Sequence, residues 1–127
     1  MQELYTKHTA IIVDDIGYMR AILASILKHA GFKKIREASD GQEALKKMSA
    51  NPTDICFCDW EMPGMSGLEL FNEMRNDDVL KKVHFIMVTG HVSTDKVQEA
   101  IKAGIQEYIA KPFNQEVVNQ KLKKLLG

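Results

Sequence analysis

Two adjacent acids, Asp14-Asp15, a third acid at Asp59, a hydroxyl at Thr89 and an ammonium at Lys111 are the residues of this chain best suited to chemistry. Each ends or follows a short apolar run: Ile11-Ile12-Val13, Ile55-Cys56-Phe57-Cys58, Phe85-Ile86-Met87-Val88 and Tyr108-Ile109-Ala110. If these runs are strands of one parallel sheet, all five side chains meet at its carboxyl edge, where such sheets bind ligands. Three carboxylates held together repel and raise each other's pKa, so the cluster calls for a cation or a proton. Oxygen-only donors select a hard cation. Mg2+ uses one or two carboxylates and keeps waters that phosphate oxygens can replace, and Mn2+ could substitute. Lys111 then offers a point charge and Thr89 a donor for phosphoryl oxygens, with Asp59 placed as nucleophile. Singly, each residue has a plainer account: Asp14 or Asp15 as the cap of the next helix, Thr89 as an ordinary strand end, Lys111 as a solvated charge. Their joint position favours the site.

Five apolar segments, His8 to Val13, Lys34 to Glu37, Asp54 to Cys58, His84 to Val88 and Gln106 to Ala110, read as strands separated by segments of helical period. Met19, Ile22, Leu23, Ile26, Leu27 and Ala30 form one apolar stripe, stopped by Gly31. Asp40 with Glu43 and Ser66 with Glu69 have the spacing that satisfies the free N–H groups of a first helical turn. Val97, Ala100 and Ile101 form a further stripe ended by Gly104. Val117, Val118, Leu122 and Leu125 form the last, after an Asn114 cap. The pattern predicts a (βα)5 domain whose parallel sheet is covered by helices on both faces, with right-handed crossovers.

The 127 residues are expected to form one domain, spanning 1–127, with no output domain expected. Seventeen basic residues balance seventeen acidic ones, which argues against nucleic acid or a membrane surface as the main partner and towards a specific protein. Apolar runs are far short of a membrane span, and the N-terminus lacks a basic segment followed by an apolar one, so a cytoplasmic protein is expected. Cys56 and Cys58, two apart on a strand, point to one face and read as small buried apolar residues rather than as a disulfide or zinc pair.

The sequence resembles the response-regulator receiver family, and most closely its stand-alone chemotaxis regulators of the CheY type. The likeness spans the chain and rests on Val13-Asp14-Asp15 with Met19-Arg20, Asp59-Trp60-Glu61-Met62-Pro63 with Gly67-Leu68-Glu69-Leu70, Met87-Val88-Thr89, Ala103-Gly104 with Tyr108, and Lys111-Pro112-Phe113. It implies a flavodoxin-like sheet of order 2-1-3-4-5. It further implies that Asp59 accepts a phosphoryl group from a histidine kinase of the CheA type, and that the acyl phosphate later hydrolyses, the chain catalysing only its own phosphorylation and dephosphorylation. Mg2+ would be held by Asp15, Asp59 and the backbone carbonyl of Glu61, with Asp14 acting through water, while Lys111 and Thr89 grip the phosphoryl oxygens. Movement of Thr89 would let Tyr108 turn inwards and remodel a protein-binding face, the target being a downstream protein such as a flagellar motor switch protein. The implied protein is a monomer that neither inserts in membranes nor binds nucleic acid.

Three positions depart from the family pattern and are expected to tune the lifetime of the phosphorylated state. Glu61 stands where an amide is common and adds a fourth carboxylate to the rim. Gly90 removes a side chain beside Thr89, and His91 brings an imidazole able to change charge near neutral pH. Other readings are a phosphorelay intermediate or receiver fragment of a larger regulator, a structural module that lost phosphorylation, and a haloacid-dehalogenase-like phosphatase. In the last the nucleophile lies on the first strand and the paired acids come late, the reverse of the order here.

Overall fold

The computed structural model describes residues 5–90 and 94–127. Five strands, β1 (Thr9–Val13), β2 (Lys34–Ala38), β3 (Ile55–Asp59), β4 (His84–Thr89) and β5 (Glu107–Ala110), alternate with five helices, α1 (Gly17–Ala30), α2 (Gly41–Ala50), α3 (Gly67–Arg75), α4 (Thr94–Ala103) and α5 (Gln115–Leu126). All strand pairings are parallel and the order is β2-β1-β3-β4-β5, as expected. The chain therefore reverses direction across the sheet between β1 and β3, and a crevice opens there beyond their carboxyl ends. Val13 pairs with Cys58, and Asp59 with Val88, which brings the ends of β1, β3 and β4 together.

Apolar residues fill both faces of the inner strands, and alternation sorts them into two cores. Ile11, Val13, Cys56, Cys58 and Met87 pack beneath α2, α3 and α4, against Ala44, Leu70, Met74 and Ala100. Ala10, Ile12, Phe57, Ile86 and Ile109 pack beneath α1 and α5, against Leu23, Leu27, Val118 and Leu122. Both cysteines are buried and free on the first face, as their spacing predicts. The outer strands differ from the inner ones: β2 is largely open to solvent, and β5 alternates buried with exposed.

The helices begin and end as the sequence predicts, with local differences. Asp40 accepts from the Glu43 N–H at 2.8 Å, and Asn114 accepts from the Val117 N–H at 3.0 Å. Ser66 and Glu69 satisfy each other's backbone donors in a complete capping box. Glu43 instead turns its carboxylate to the Ser39 N–H, one residue before the cap. Gly31 ends α1 at φ 120, a conformation that disfavours side chains. Ile22 and Ile101, expected on the buried stripes, are 47% and 63% exposed. Each lies about 100° around its helix from a buried neighbour, Leu23 or Ala100, and so falls off the edge of the contact. Among the described residues no helix is long and apolar enough to cross a membrane.

Candidate functional site

The carboxyl edge of the sheet collects the acids. Asp14 follows β1, and its N–H donates to the Ala38 carbonyl at 3.1 Å, which ties it to the end of β2. Its Oδ1 accepts from the Ile16 N–H at 2.9 Å and its Oδ2 lies 3.3 Å from the Lys111 ammonium. The plainer account of this pair as a helix cap does not hold: Ile16, not an acid, is the N-cap of α1, and it makes no side-chain cap. Asp15 is exposed, and Asp59 closes β3 with its side chain 12% exposed. Each of the three acids offers a carboxylate oxygen, and these oxygens lie within 4.8 Å of one another.

Asp59 Oδ1 accepts from the Trp60 N–H at 2.9 Å and lies 3.5 Å from Lys111 Nζ. Burial raises the Asp59 pKa above the ordinary aspartate value, and Asp14 adds to this against the opposing charge of Lys111. Among the described residues, Lys111, in contact with Asp14 and Asp59, stands against a cluster of three carboxylates, a surplus of negative charge that a divalent cation would balance. The spacing, within 4.8 Å, is close to the roughly 4.2 Å that separates opposite ligands of an Mg2+ octahedron, so a small inward movement, or one acid acting through water, accommodates the ion. The residues present fit the ion.

Thr89 is buried at the end of β4, and its carbonyl accepts from the Lys111 N–H at 2.8 Å, which fixes the start of the segment after β5. The Lys111–Pro112 peptide is cis. A small apolar pocket is lined by Trp60, Met87, Thr89, Val97, Ala100 and Tyr108, the tyrosine itself 36% exposed. Gly90 is exposed, and the space a side chain would occupy there is open apart from the Lys111 Cβ at 4.0 Å. His91 lies outside the described residues.

Two basic residues, Arg20 and Lys96, reach the site from the helices. Arg20 donates through Nη1 to the Asp14 carbonyl at 2.6 Å and through Nε to Glu37 at 3.0 Å, bracing the end of β1 from α1. Lys96, on the first turn of α4, lies 3.5 Å from Glu61, so the fourth carboxylate of the rim is paired. Arg20 stood within a recognised motif but without an assigned task, and nothing local marks Lys96. A third element is Gly67. A Cβ there would collide with the backbone carbonyl of Asp59 and come within 2.9 Å of Met87 Sδ, so α3 can rest on the acceptor only because this residue has no side chain.

A doubly wound sheet with paired acids after its first strand and a buried acid at the end of its third defines a class, the receiver-type α/β switches. The response regulator receiver domain model matches residues 10–123, and the chain belongs to that family. It is 38% identical over 115 residues to the chemotaxis protein CheY of Pseudomonas aeruginosa, covering 91% of this chain and 93% of that protein. It is 39% identical over 118 residues to CheY1 of Helicobacter pylori, covering 92% and 95%. Among solved structures, CheY4 of Vibrio cholerae superposes with a TM-score of 0.86 at 30% identity, covering 93% of this chain and 98% of that one. The response regulator TrrA of Thermotoga maritima, solved in complex with Mg(2+)-BeF, superposes with a TM-score of 0.81 at 35% identity, covering 93% and 98%. The chain is thus a CheY-like receiver domain of two-component signalling rather than a haloacid-dehalogenase-like phosphatase, and such regulators are not enzymes in the ordinary sense.

Proposed function

We propose that this protein is a chemotaxis response regulator that accepts a phosphoryl group on Asp59 from a histidine kinase of the CheA type and thereby switches a protein-binding face. The observation that carries the reading is the convergence of Asp14, Asp15 and Asp59 within 4.8 Å, with Lys111 against two of them. Both contacts recorded for the Asp59 carboxylate fall on Oδ1, which leaves Oδ2 a lone pair for phosphorus. As the new O–P bond forms, the P–N bond of the donor phosphohistidine breaks and the histidine nitrogen leaves with the electron pair.

Asp15, Asp59 and the backbone carbonyl of Glu61 would hold Mg2+, with Asp14 acting through water. Asp14 suits the indirect part because both its oxygens already have partners, Ile16 N–H and Lys111. When bound, the ion neutralises charge building on the phosphoryl oxygens. Lys111 moves from the carboxylates to one phosphoryl oxygen and the Thr89 hydroxyl donates to another. Thr89 and Tyr108 line the same small apolar pocket, so a movement of the hydroxyl bears directly on the ring, which supports the switch. Water then releases the phosphoryl group, at a rate that Glu61, Gly90 and His91 are positioned in sequence to tune.

The test is incubation with Mg2+ and a small phosphodonor, followed by mass spectrometry. The expected result is one added phosphoryl group in the native chain and none in Asp59→Asn. Equal labelling of the two proteins, or none in either, rejects the reading. For the target, a pull-down comparing phosphorylated protein with Asp59→Asn should recover a flagellar motor switch protein with the phosphorylated form alone.

A further inference from the structure

Lys96 reaches from α4 to both residues that follow the acceptor. Its ammonium lies 3.5 Å from Glu61 Oε1 and 4.6 Å from the centroid of the Trp60 ring. Trp60 is 6% exposed, its backbone N–H donates to the Asp59 carboxylate, and it lines the small pocket beside Thr89, so it belongs to the wall of the site. Glu61 is 60% exposed at the side chain and lies outside the cluster of three acids. A free carboxylate two residues past the acceptor could approach a cation in that cluster and strengthen its binding, whereas one held by an ammonium cannot do so fully.

We infer that Lys96 is a positioning residue for the acidic site: by holding Glu61 and capping the Trp60 ring, it lowers the site's affinity for a divalent cation and ties its occupancy to the first turn of α4. The inference rests on the reading of the acidic cluster as a Mg2+ site. An ion pair and a cation–π contact are each modest when exposed, but the two share one ammonium and select one position for it. A cation entering the cluster competes with Lys96 for Glu61. By reciprocity, whatever loosens Lys96 favours the cation, and the cation favours release of Lys96. The start of α4 is thereby made sensitive to the site.

Mg2+ titrations by calorimetry on the native protein, Lys96→Gln, Lys96→Arg, Glu61→Gln and the double variant Glu61→Gln/Lys96→Gln test this. Lys96→Gln should tighten Mg2+ binding by up to about fivefold, the range of one exposed ion pair. Lys96→Arg, which keeps both contacts, should stay near native affinity. In the Glu61→Gln background the same Lys96→Gln change should have under about half that effect on a logarithmic scale, because no carboxylate is left to release. Emission from Trp60, the one tryptophan of the chain, should change in metal-free Lys96→Gln and not in Lys96→Arg. Unchanged Mg2+ affinity in Lys96→Gln overturns the inference, as do equal effects in the two backgrounds, which would indicate simple repulsion at a distance. A native protein whose Mg2+ binding is absent, or survives Asp15→Asn, overturns the metal site itself and the inference with it.

Discussion

Asp59 sits in a place that resists its charge. Burial, and then Asp14, raise its pKa, and Lys111 offsets this only in part. A carboxyl with a raised pKa binds its proton more tightly in the folded state than in the unfolded chain, so its contribution to stability falls as pH climbs from the ordinary aspartate value through the raised one. Asp59→Asn should therefore melt higher than the native protein at pH 7 without metal, and the gap should close towards pH 4. At this chain length each 1 kcal/mol is worth roughly 3–5 °C, so a rise of a few degrees is expected by calorimetry or circular dichroism. Adding Mg2+ should raise the melting point of the native protein and leave Asp59→Asn nearly unmoved, because only the former gains a bound ligand. The acids, Thr89 and Lys111 were legible in the sequence because each sits at the end of an apolar run, and the strand rule converts that position into proximity. Lys96 and Arg20 follow no such rule. They reach the site from the sides of helices, and their partners are set by how α4 and α1 lie on the sheet.

The helices position the site through a few close contacts, and α3 depends on Gly67. Gly67→Ala would push a methyl group into the Asp59 carbonyl and against Met87 Sδ. The helix must shift, at about 1–3 kcal/mol, and Mg2+ binding should weaken as the acceptor moves. Gly17→Ala is the control: its nearest neighbour would be Arg20 Nη2 at 3.6 Å, so stability should hold or rise. At the other end of the sheet, Glu107 fastens β5 to α5, with Lys121 at 2.9 Å and Lys124 at 2.7 Å from a side chain only 8% exposed. Burial alone would raise the Glu107 pKa, but the hydrogen bonds from Lys124 and Lys121 outweigh it and lower the net value. The stability it brings is present above the ordinary glutamate value and lost as pH falls through the lowered one. Glu107→Gln should melt lower at pH 7, by about 1–3 kcal/mol, and approach the native protein in acid. Caps and glycines made the helix ends readable, since Asp40, Ser66, Asn114 and Gly31 act on neighbours within a turn. Periodicity was less complete. It found the apolar stripes but not their width, which is why Ile22 and Ile101 fell outside the cores.

Over the whole molecule, two cores of alternating strand residues hold a rigid sheet, and that rigidity keeps acids from separate strands within reach of one ion. This arrangement was readable because parallel strands buried on both faces leave continuous apolar runs, and five such runs between helical segments admit few topologies. The pairing of Glu61 was not, because it depends on the lie of α4. The open character of β2 bears on how the protein behaves in bulk. With equal numbers of acidic and basic residues, copies of this chain feel no long-range electrostatic repulsion near neutral pH, where many proteins rely on it for colloidal stability. The task of keeping them apart falls to the sheet margin. Lys34 and Glu37 stand exposed along β2, the latter against Arg20, so a second sheet docking there would have to strip water from their charges. Replacing both with valine leaves the net charge at zero, yet light scattering at pH 7 should rise with concentration far sooner than for the native chain.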